Sequence, residues 1–187
     1  MLHPVPAHEN LSAGWSGHDT IGAGLIERSA MTEVLVLNGP NLNMLGDRQP
    51  EIYGSLTLAD VADTCRTTAA ELGWELDFRQ SNHEGELVEW VQEAGRAQRD
   101  GRLVGAVINA GAYTHTSIAL HDAVAGSGLR VVELHISNVH ARESFRHHSY
   151  LSSVAAGVLI GFGVAGYPMA LRGLQALIAP PNDGNLS

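Results

Sequence analysis

The chain has 187 residues, a length that fits one ordinary domain. Hydrophobic residues make up 44% of the sequence and charged residues 17%, which argues against both wholesale disorder and a membrane protein. The formal net charge of −9 argues against nucleic acid or an anionic membrane surface as a partner.

The basic residues exclude two kinds of mechanism. All 11 of them are Arg and none is Lys. A Schiff base to substrate or pyridoxal phosphate needs a lysine amine, and a Walker-type phosphate loop needs its G-K-[ST] lysine. The only cysteine, Cys65, allows no internal disulfide and no multi-cysteine zinc site, and this count suits a reducing cytoplasm.

The two ends of the chain differ from its middle. Residues 1–30 contain His, Gly, Ser and Pro without a periodic apolar pattern, so we expect a disordered or loosely attached extension, and Met31 is a possible biological start. This segment lacks the apolar run of a secretory signal. We expect a folded domain over 31–178 and a polar tail over 179–187.

In chain order, apolar runs alternate with amphipathic segments. Thr57 followed by Asp60 predicts a capping box at the start of the first helix, on which Cys65 faces the core. The last helix has Pro168 in its first turn and is expected to bury Leu171, Leu174, Leu177 and Ile178. Strands are predicted over 34–37, 74–79, 103–109, 130–135 and 156–160, further helices over 82–98 and 116–125, and a short helical turn over 145–150.

Five strands separated by helices predict an α/β domain whose parallel sheet is covered on both faces. The expected architecture is flavodoxin-like and doubly wound, with strand order 2-1-3-4-5. In such sheets the ligand lies beyond the carboxyl ends of the strands, at the switch point between the first and third. Polar residues follow the predicted strands at that edge, namely Asn38, Asn41, Arg48, Tyr53, Arg79, His83, Asn109, His115, Glu133, His135 and Ser137.

Several of these residues also have simpler interpretations. Loops are generally polar, and the segment from Asn38 to Asn41 has ordinary turn chemistry. His135 and His140 are five residues apart, which fits no usual metal pair. Glu133 and His135, in contrast, stand two apart on a strand and share a face, where a carboxylate can orient an imidazole as a general acid.

Six segments together carry a resemblance. They are LNGPNL at 37–42, the stretch from Gly46 to Gly54, RQSNHE at 79–84, INAGAYTHTS at 108–117, VELHISNVHAR at 132–142 and FRHHSY at 145–150. In this order they resemble the type II 3-dehydroquinate dehydratases. The resemblance implies a flavodoxin-like, metal-free and cofactor-free hydro-lyase that assembles as trimers forming dodecamers. It implies conversion of 3-dehydroquinate to 3-dehydroshikimate in the shikimate pathway of aromatic amino acid biosynthesis.

The resemblance also implies roles for five catalytic residues. Tyr53 matches the base that removes the proton next to the ketone, and Arg48 matches the arginine whose charge favours the tyrosinate. Asn41 matches the residue that holds a water against the enolate oxygen. His135, oriented by Glu133, matches the acid that protonates the leaving hydroxyl.

Substrate-binding positions follow in the same way. The substrate carboxylate is expected at Asn109 and at the backbone N–H groups of Ile136 and Ser137, while His115 and Arg146 contact ring hydroxyls. Asp122 matches an acidic residue that reaches the site of an adjacent subunit. Asp47 and His121 depart from the pattern, and we expect them to tune loop closure and subunit contacts.

Two other function classes fit the sequence less well. A flavodoxin-like binding or signalling module needs a Ser/Thr-rich phosphate loop after the first strand or a phosphoacceptor Asp, and the sequence has neither. A scaffold that has lost activity would lack the base, the acid or the arginine. Tyr53, His135 and Arg48 are all present, so the sequence favours an active enzyme.

Overall fold

Parallel strands and helices alternate along the chain. The computed structural model describes residues 32–46 and 56–179. Within these ranges the strands are β1 (Thr32–Asn38), β2 (Trp74–Gln80), β3 (Leu103–Asn109), β4 (Val131–His135) and β5 (Gly157–Ile160), and the helices are α1 (Leu58–Glu71), α2 (Glu84–Arg99), α3 (Ile118–Ser127) and α4 (Gly166–Ile178). Short 3-10 helices lie at Leu42–Met44, Gly111–His115, Val139–Ala141, Ser144–Arg146 and Gly163–Ala165.

The sheet has the predicted order, β2-β1-β3-β4-β5, and all its pairs are parallel. Successive residues of β1 enter opposite cores because side chains alternate along a strand. Leu35 and Leu37 pack toward α2 and α3, whereas Val34 and Val36 pack toward α1 and α4. Both faces of the sheet are therefore covered, and the site has to form at an edge of the sheet.

Helix α1 begins as its capping pattern predicts. The Asp60 N–H donates to the Thr57 hydroxyl at 3.2 Å, and the Thr57 N–H donates to the Asp60 carboxylate at 2.8 Å. Cys65, on the inner face of this helix, is fully buried. Burial raises the pKa of its thiol to about 12, so Cys65 is a core residue and not a reactive thiol.

Several details differ from the sequence prediction, and one of them is that the helix predicted over 116–125 runs over Ile118–Ser127. Helix α2 begins at Glu84 instead of residue 82, because the Asn82 side chain bonds to the loop after β1. Leu177 was expected in the core and is 45% exposed, since it lies beside Gly157 of the edge strand, which has no side chain to cover it. The helical turn predicted over 145–150 lies earlier, at Ser144–Arg146.

The proposed extension over 1–30 lies outside the described residues, and so does the tail from residue 180 onward. The boundaries of the folded domain therefore stay a prediction. Among the helices in the described part of the chain, none has the length and apolar character needed to cross a membrane.

The loops that follow β1 and β3 are in direct backbone contact. The Gly39 N–H donates to the Asn109 carbonyl at 2.8 Å, and a Cβ at Gly39 would lie 2.2 Å from the Ala110 carbonyl oxygen. Gly111, at φ +58, faces back across the same junction, and a Cβ there would lie 3.1 Å from the Pro40 carbonyl oxygen. Glycine is thus required at both positions to bring the two strand ends together.

We expect Gly39→Ala to lower the melting temperature strongly, because a methyl group cannot fit against a backbone carbonyl. A loss of about 3 kcal/mol, at the upper end of usual overpacking costs, corresponds to roughly 6–12 °C in a domain of this size. The matched control is Gly173→Ala on α4, where nothing lies within 4 Å of the added Cβ. That change should leave the melting temperature unchanged or raise it slightly. Equal melting temperatures for Gly39→Ala and the wild type would contradict the close approach.

Candidate active site

A cavity of about 210 Å³ opens at the carboxyl edge of the sheet. It lies at the switch point between β1 and β3, where the sequence analysis placed the ligand. Seven residues singled out from the sequence line it: Asn41, Asn109, His115, His135, Ile136, Ser137 and Arg146. Its other lining residues are Pro40, Leu42, Met44, Leu45, Gly111, Ala112, Val139 and Arg142.

His135 stands at the end of β4 with its imidazole fixed by a buried carboxylate. Its Nε2 lies 2.8 Å from Glu133 Oε1. Glu133 is fully buried and His135 is only 6% exposed. Because an ionised carboxylate can only accept, Nε2 carries the proton, and Nδ1 is the nitrogen left for a ligand. The prediction that Glu133 and His135 share a face of the strand and interact there is confirmed.

Two serines complete the environment of Glu133. Ser149 donates to Oε1 at 2.6 Å, and Ser152 donates to Oε2. Burial raises the pKa of Glu133, but the hydrogen bonds from His135, Ser149 and Ser152 outweigh it, so the pKa lies below its ordinary value. Glu133 is consequently an anion at neutral pH despite its burial.

His115 is also fixed by a single acceptor. Its Nδ1 lies 2.7 Å from the His148 carbonyl oxygen, so Nδ1 holds a proton and Nε2 is left for a ligand. The His115 and His135 rings are stacked, with centroids 6.2 Å apart and planes 15° from parallel. The cavity therefore has two neighbouring imidazoles, each oriented by a separate partner.

Asn41 lies in the loop after β1 in the left-handed conformation, at φ 66. Its N–H donates to Asn82 Oδ1 at 2.9 Å, which ties this loop to the one after β2. Asn41 is thus both a turn residue and a lining residue of the cavity, so the two interpretations of its motif are compatible.

Two arginines line the cavity beyond β4. Arg146 was singled out from the sequence, and Arg142 was not, although it ends one of the quoted motifs. Glu143 lies between them, with Oε2 at 2.9 Å from Arg146 Nε and 3.4 Å from Arg142 Nε. The guanidinium groups give this side of the cavity a local positive charge on a chain of net charge −9.

Other polar residues from the sequence analysis lie elsewhere. Arg79 forms ion pairs with Asp77 and Glu93 in a separate groove beside α2. His83 does not line the cavity. Asp122 lies outside the cavity as well, with 72% of its side chain exposed and a carboxylate oxygen 2.9 Å from His121 Nδ1.

Arg48 and Tyr53, the predicted arginine and base, fall outside the described residues. Within the described ranges, no group of three or more His, Cys, Asp or Glu side chains is arranged to hold a metal ion. His140 and His147 approach each other to 5.8 Å between ring centroids, but no third such side chain joins them.

Comparison with known proteins places this architecture in a family. Residues 32–175 match the family described as dehydroquinase class II. The chain is 64% identical over 141 residues to a 3-dehydroquinate dehydratase of an Acidovorax species, covering 75% of this chain and 95% of the relative. It is 60% identical over 153 residues to 3-dehydroquinate dehydratase 2 of Ralstonia nicotianae, covering 82% and 99%.

The fold agrees with solved structures as well. The crystal structure of the type II dehydroquinase from Butyrivibrio crossotus superposes with a TM-score of 0.72 at 41% identity, covering 77% of this chain and 97% of that one. The type II dehydroquinase of Propionibacterium acnes gives a TM-score of 0.71, also at 41% identity, covering 79% and 99%. The chain belongs to the type II dehydroquinase family.

Proposed function

We propose that the chain eliminates water from 3-dehydroquinate to give 3-dehydroshikimate, the dehydration step of the shikimate pathway. The observation that carries the proposal is the buried Glu133–His135 pair, which opens into the cavity beside Ile136 and Ser137. The family match over residues 32–175 supplies the identity of the substrate.

The reaction breaks a C–H bond next to a ketone and a C–O bond on the adjacent carbon. Removal of the proton sends its electron pair to the ketone oxygen as an enolate. Collapse of the enolate forms the carbon–carbon double bond and expels the hydroxyl, which leaves as water once it is protonated. The site therefore has to provide a base, stabilisation of the enolate oxygen and an acid.

His135 is the acid in this scheme. Its Nε2 proton is held by Glu133, so the proton given to the leaving hydroxyl comes from Nδ1 of the imidazolium. The anion of Glu133 stabilises that imidazolium and fixes its direction. Glu133 is a positioning residue because no cavity surface belongs to it.

The position of the acid suits the substrate. In 3-dehydroquinate the hydroxyl that leaves and the carboxylate are attached to the same carbon. The proposed acid and two proposed carboxylate-binding residues are consecutive, namely His135, Ile136 and Ser137. A carboxylate bound to Ile136, Ser137 and Asn109 would therefore bring the leaving hydroxyl beside the imidazole, and Arg146 and His115 would contact the remaining hydroxyls.

Tyr53 is proposed as the base and Arg48 as the charge that favours its ionised form, both from the matching motif. Tyr53 comes eight residues after Leu45, which lines the cavity. Tyr167 is not a candidate for the base, because its ring is fully buried and burial raises the pKa of its phenol above the ordinary value. Asn41, at the cavity rim, is proposed to hold a water against the enolate oxygen.

A trimer-based dodecamer is part of the proposal. Asp122 lies outside its own chain's cavity and is well exposed, which suits a carboxylate that completes a neighbouring site. Large exposed apolar side chains in the described part of the chain, among them Ile118, Phe145 and Phe162, offer surface for subunit contacts. The single cysteine agrees with the proposed cytoplasmic location.

Purified protein mixed with 3-dehydroquinate should produce the ultraviolet absorbance of a conjugated enone. We expect the rate to survive dialysis against a strong chelator, because the proposed acid, base and anion-binding groups all belong to the chain. A binding or signalling module would give no absorbance change. Activity lost on chelation and restored by a divalent ion would contradict the cofactor-free mechanism.

Base and acid can be separated by hydrogen exchange. Tyr53→Phe should lower turnover by about 10²–10⁴-fold or more and should stop exchange of the abstracted hydrogen with deuterated water. His135→Ala should lower turnover comparably while still allowing that exchange, because the enolate forms but the hydroxyl is not protonated. Near-normal turnover of Tyr53→Phe would overturn the assignment of the base.

Shared sites predict complementation between two inactive chains. Asp122→Ala and His135→Ala should each reduce activity. Light scattering should show that both variants still assemble, with a mass that is a multiple of three chains. When the two variants are co-expressed and assemble at random, about one quarter of all sites combine an intact His135 with an intact Asp122 from the neighbouring chain and should work. An active monomer, or an Asp122→Ala variant with full activity, would refute the shared site.

A further inference from the structure

A buried hydrogen-bonded chain runs beneath the floor of the cavity, from β2 through β1 and α4 to β3. Asn38 Nδ2 donates to the Arg79 carbonyl at 3.2 Å, and the Tyr167 hydroxyl donates to Asn38 Oδ1 at 2.6 Å. Asn109 Nδ2 in turn donates to the Tyr167 oxygen at 3.0 Å. Asn38 and Tyr167 are fully buried, and Asn109 is 3% exposed.

The Arg79 carbonyl sets the donor and acceptor roles of every hydrogen bond that connects Asn38, Tyr167 and Asn109. A backbone carbonyl such as that of Arg79 can only accept, so the Asn38 amide has to place its NH₂ there and its oxygen toward Tyr167. The single proton of the Tyr167 hydroxyl then goes to Asn38, and the hydroxyl oxygen is left to accept. Asn109 can satisfy that oxygen only with its NH₂ group.

The same orientation is required at the other end of Asn109. Its Oδ1 accepts from the Gly111 N–H at 3.4 Å. If the amide were reversed, its NH₂ would face the Gly111 N–H and its oxygen would face a hydroxyl that has already given its proton to Asn38. The correct amide leaves its second N–H for a ligand, and Asn109 lines the cavity.

The fold brings Tyr167 to this position by a close helix-to-sheet contact. Tyr167 follows Gly166 at the start of α4, and a Cβ on Gly166 would lie 2.8 Å from Leu134 Cδ1. Phenylalanine would fill the same space without a polar atom to desolvate, and a buried hydroxyl is costly unless it is hydrogen-bonded. Burial also raises the pKa of Tyr167, so the phenol keeps its proton and remains a donor.

We propose that Tyr167 is a positioning residue for catalysis: it fixes the orientation of the Asn109 amide, and so determines that Asn109 presents an N–H to the substrate carboxylate. The inference rests on the proposed function, in which Asn109 binds that carboxylate. Tyr167 touches no substrate, so its effect has to pass through Asn109.

The test is the kinetics of Tyr167→Phe with 3-dehydroquinate. The variant keeps the ring but removes the shorter of the two hydrogen bonds that orient the Asn109 amide, so only the 3.4 Å bond from the Gly111 N–H opposes its rotation. Since a hydrogen bond to a charged group accounts for about tenfold or more in affinity, KM should rise about tenfold with a smaller change in kcat. In an Asn109→Ala background, Tyr167→Phe should change KM by less than about twofold, because the group through which it acts is gone.

Two further variants separate positioning from packing. Leu174→Ala, on the same helix and fully buried without polar atoms, should lower the melting temperature but leave KM unchanged. Asn38→Leu keeps the Tyr167 hydroxyl but removes its acceptor, so the hydroxyl turns to Asn109 Oδ1 and reverses the amide. It should raise KM like Tyr167→Phe, and it tests the proposal if Tyr167→Phe does not fold.

The outcomes distinguish the two proposals. A wild-type protein that leaves 3-dehydroquinate unconverted overturns the proposed function and this inference with it. An active wild type with an unchanged KM in folded Tyr167→Phe or Asn38→Leu overturns the inference alone. So does a double variant in which the effects of Tyr167→Phe and Asn109→Ala on KM multiply, since that would show that the two residues act independently.

Discussion

The site depends above all on one buried negative charge. Glu133 has no contact with solvent, and an unpaired carboxylate in such a position would cost several kcal/mol. Ser149, Ser152 and His135 together satisfy it. Both serines follow the loop that carries the cavity arginines. Their hydrogen bonds to Glu133 therefore also anchor that loop to the sheet. The His148 carbonyl that orients His115 belongs to the same anchored segment.

A neutral counterpart lies on the other side of the cavity floor. There the amides of Asn38 and Asn109, paired in register on β1 and β3, are joined through the hydroxyl of Tyr167. The Glu133 cluster carries a charge and stabilises an imidazolium. The network of Asn38, Tyr167 and Asn109 carries no charge and determines only the orientation of an amide. The cavity thus combines an ionic interaction with a network that only sets orientation, and both are built on the ends of neighbouring, hydrogen-bonded strands.

The sequence predicted what depends on local pattern. Apolar runs located all five strands, the Thr57–Asp60 spacing located a helix start, and the two-residue spacing of Glu133 and His135 paired them on one face. Contacts between distant elements left no such pattern. Tyr167 and Asn38 are 129 residues apart, so no periodicity connects them. Leu177 fits the helical pattern, but its neighbour on the edge strand is Gly157, which has no side chain to cover it. Arg142 lines the cavity because of the path of an irregular loop, which has no periodic pattern.

The burial of Cys65 has a practical consequence for work in solution. The chain has no lysine, and its one thiol is enclosed in the core with a pKa of about 12. Maleimides and other thiol reagents should therefore leave the native protein unlabelled, and the backbone terminus is its only amine. A cysteine introduced at an exposed position such as Asp63 on α1, whose side chain is 76% exposed, would be the single reactive thiol. Fluorophores or spin labels could then be attached at one defined position without any prior removal of native cysteines.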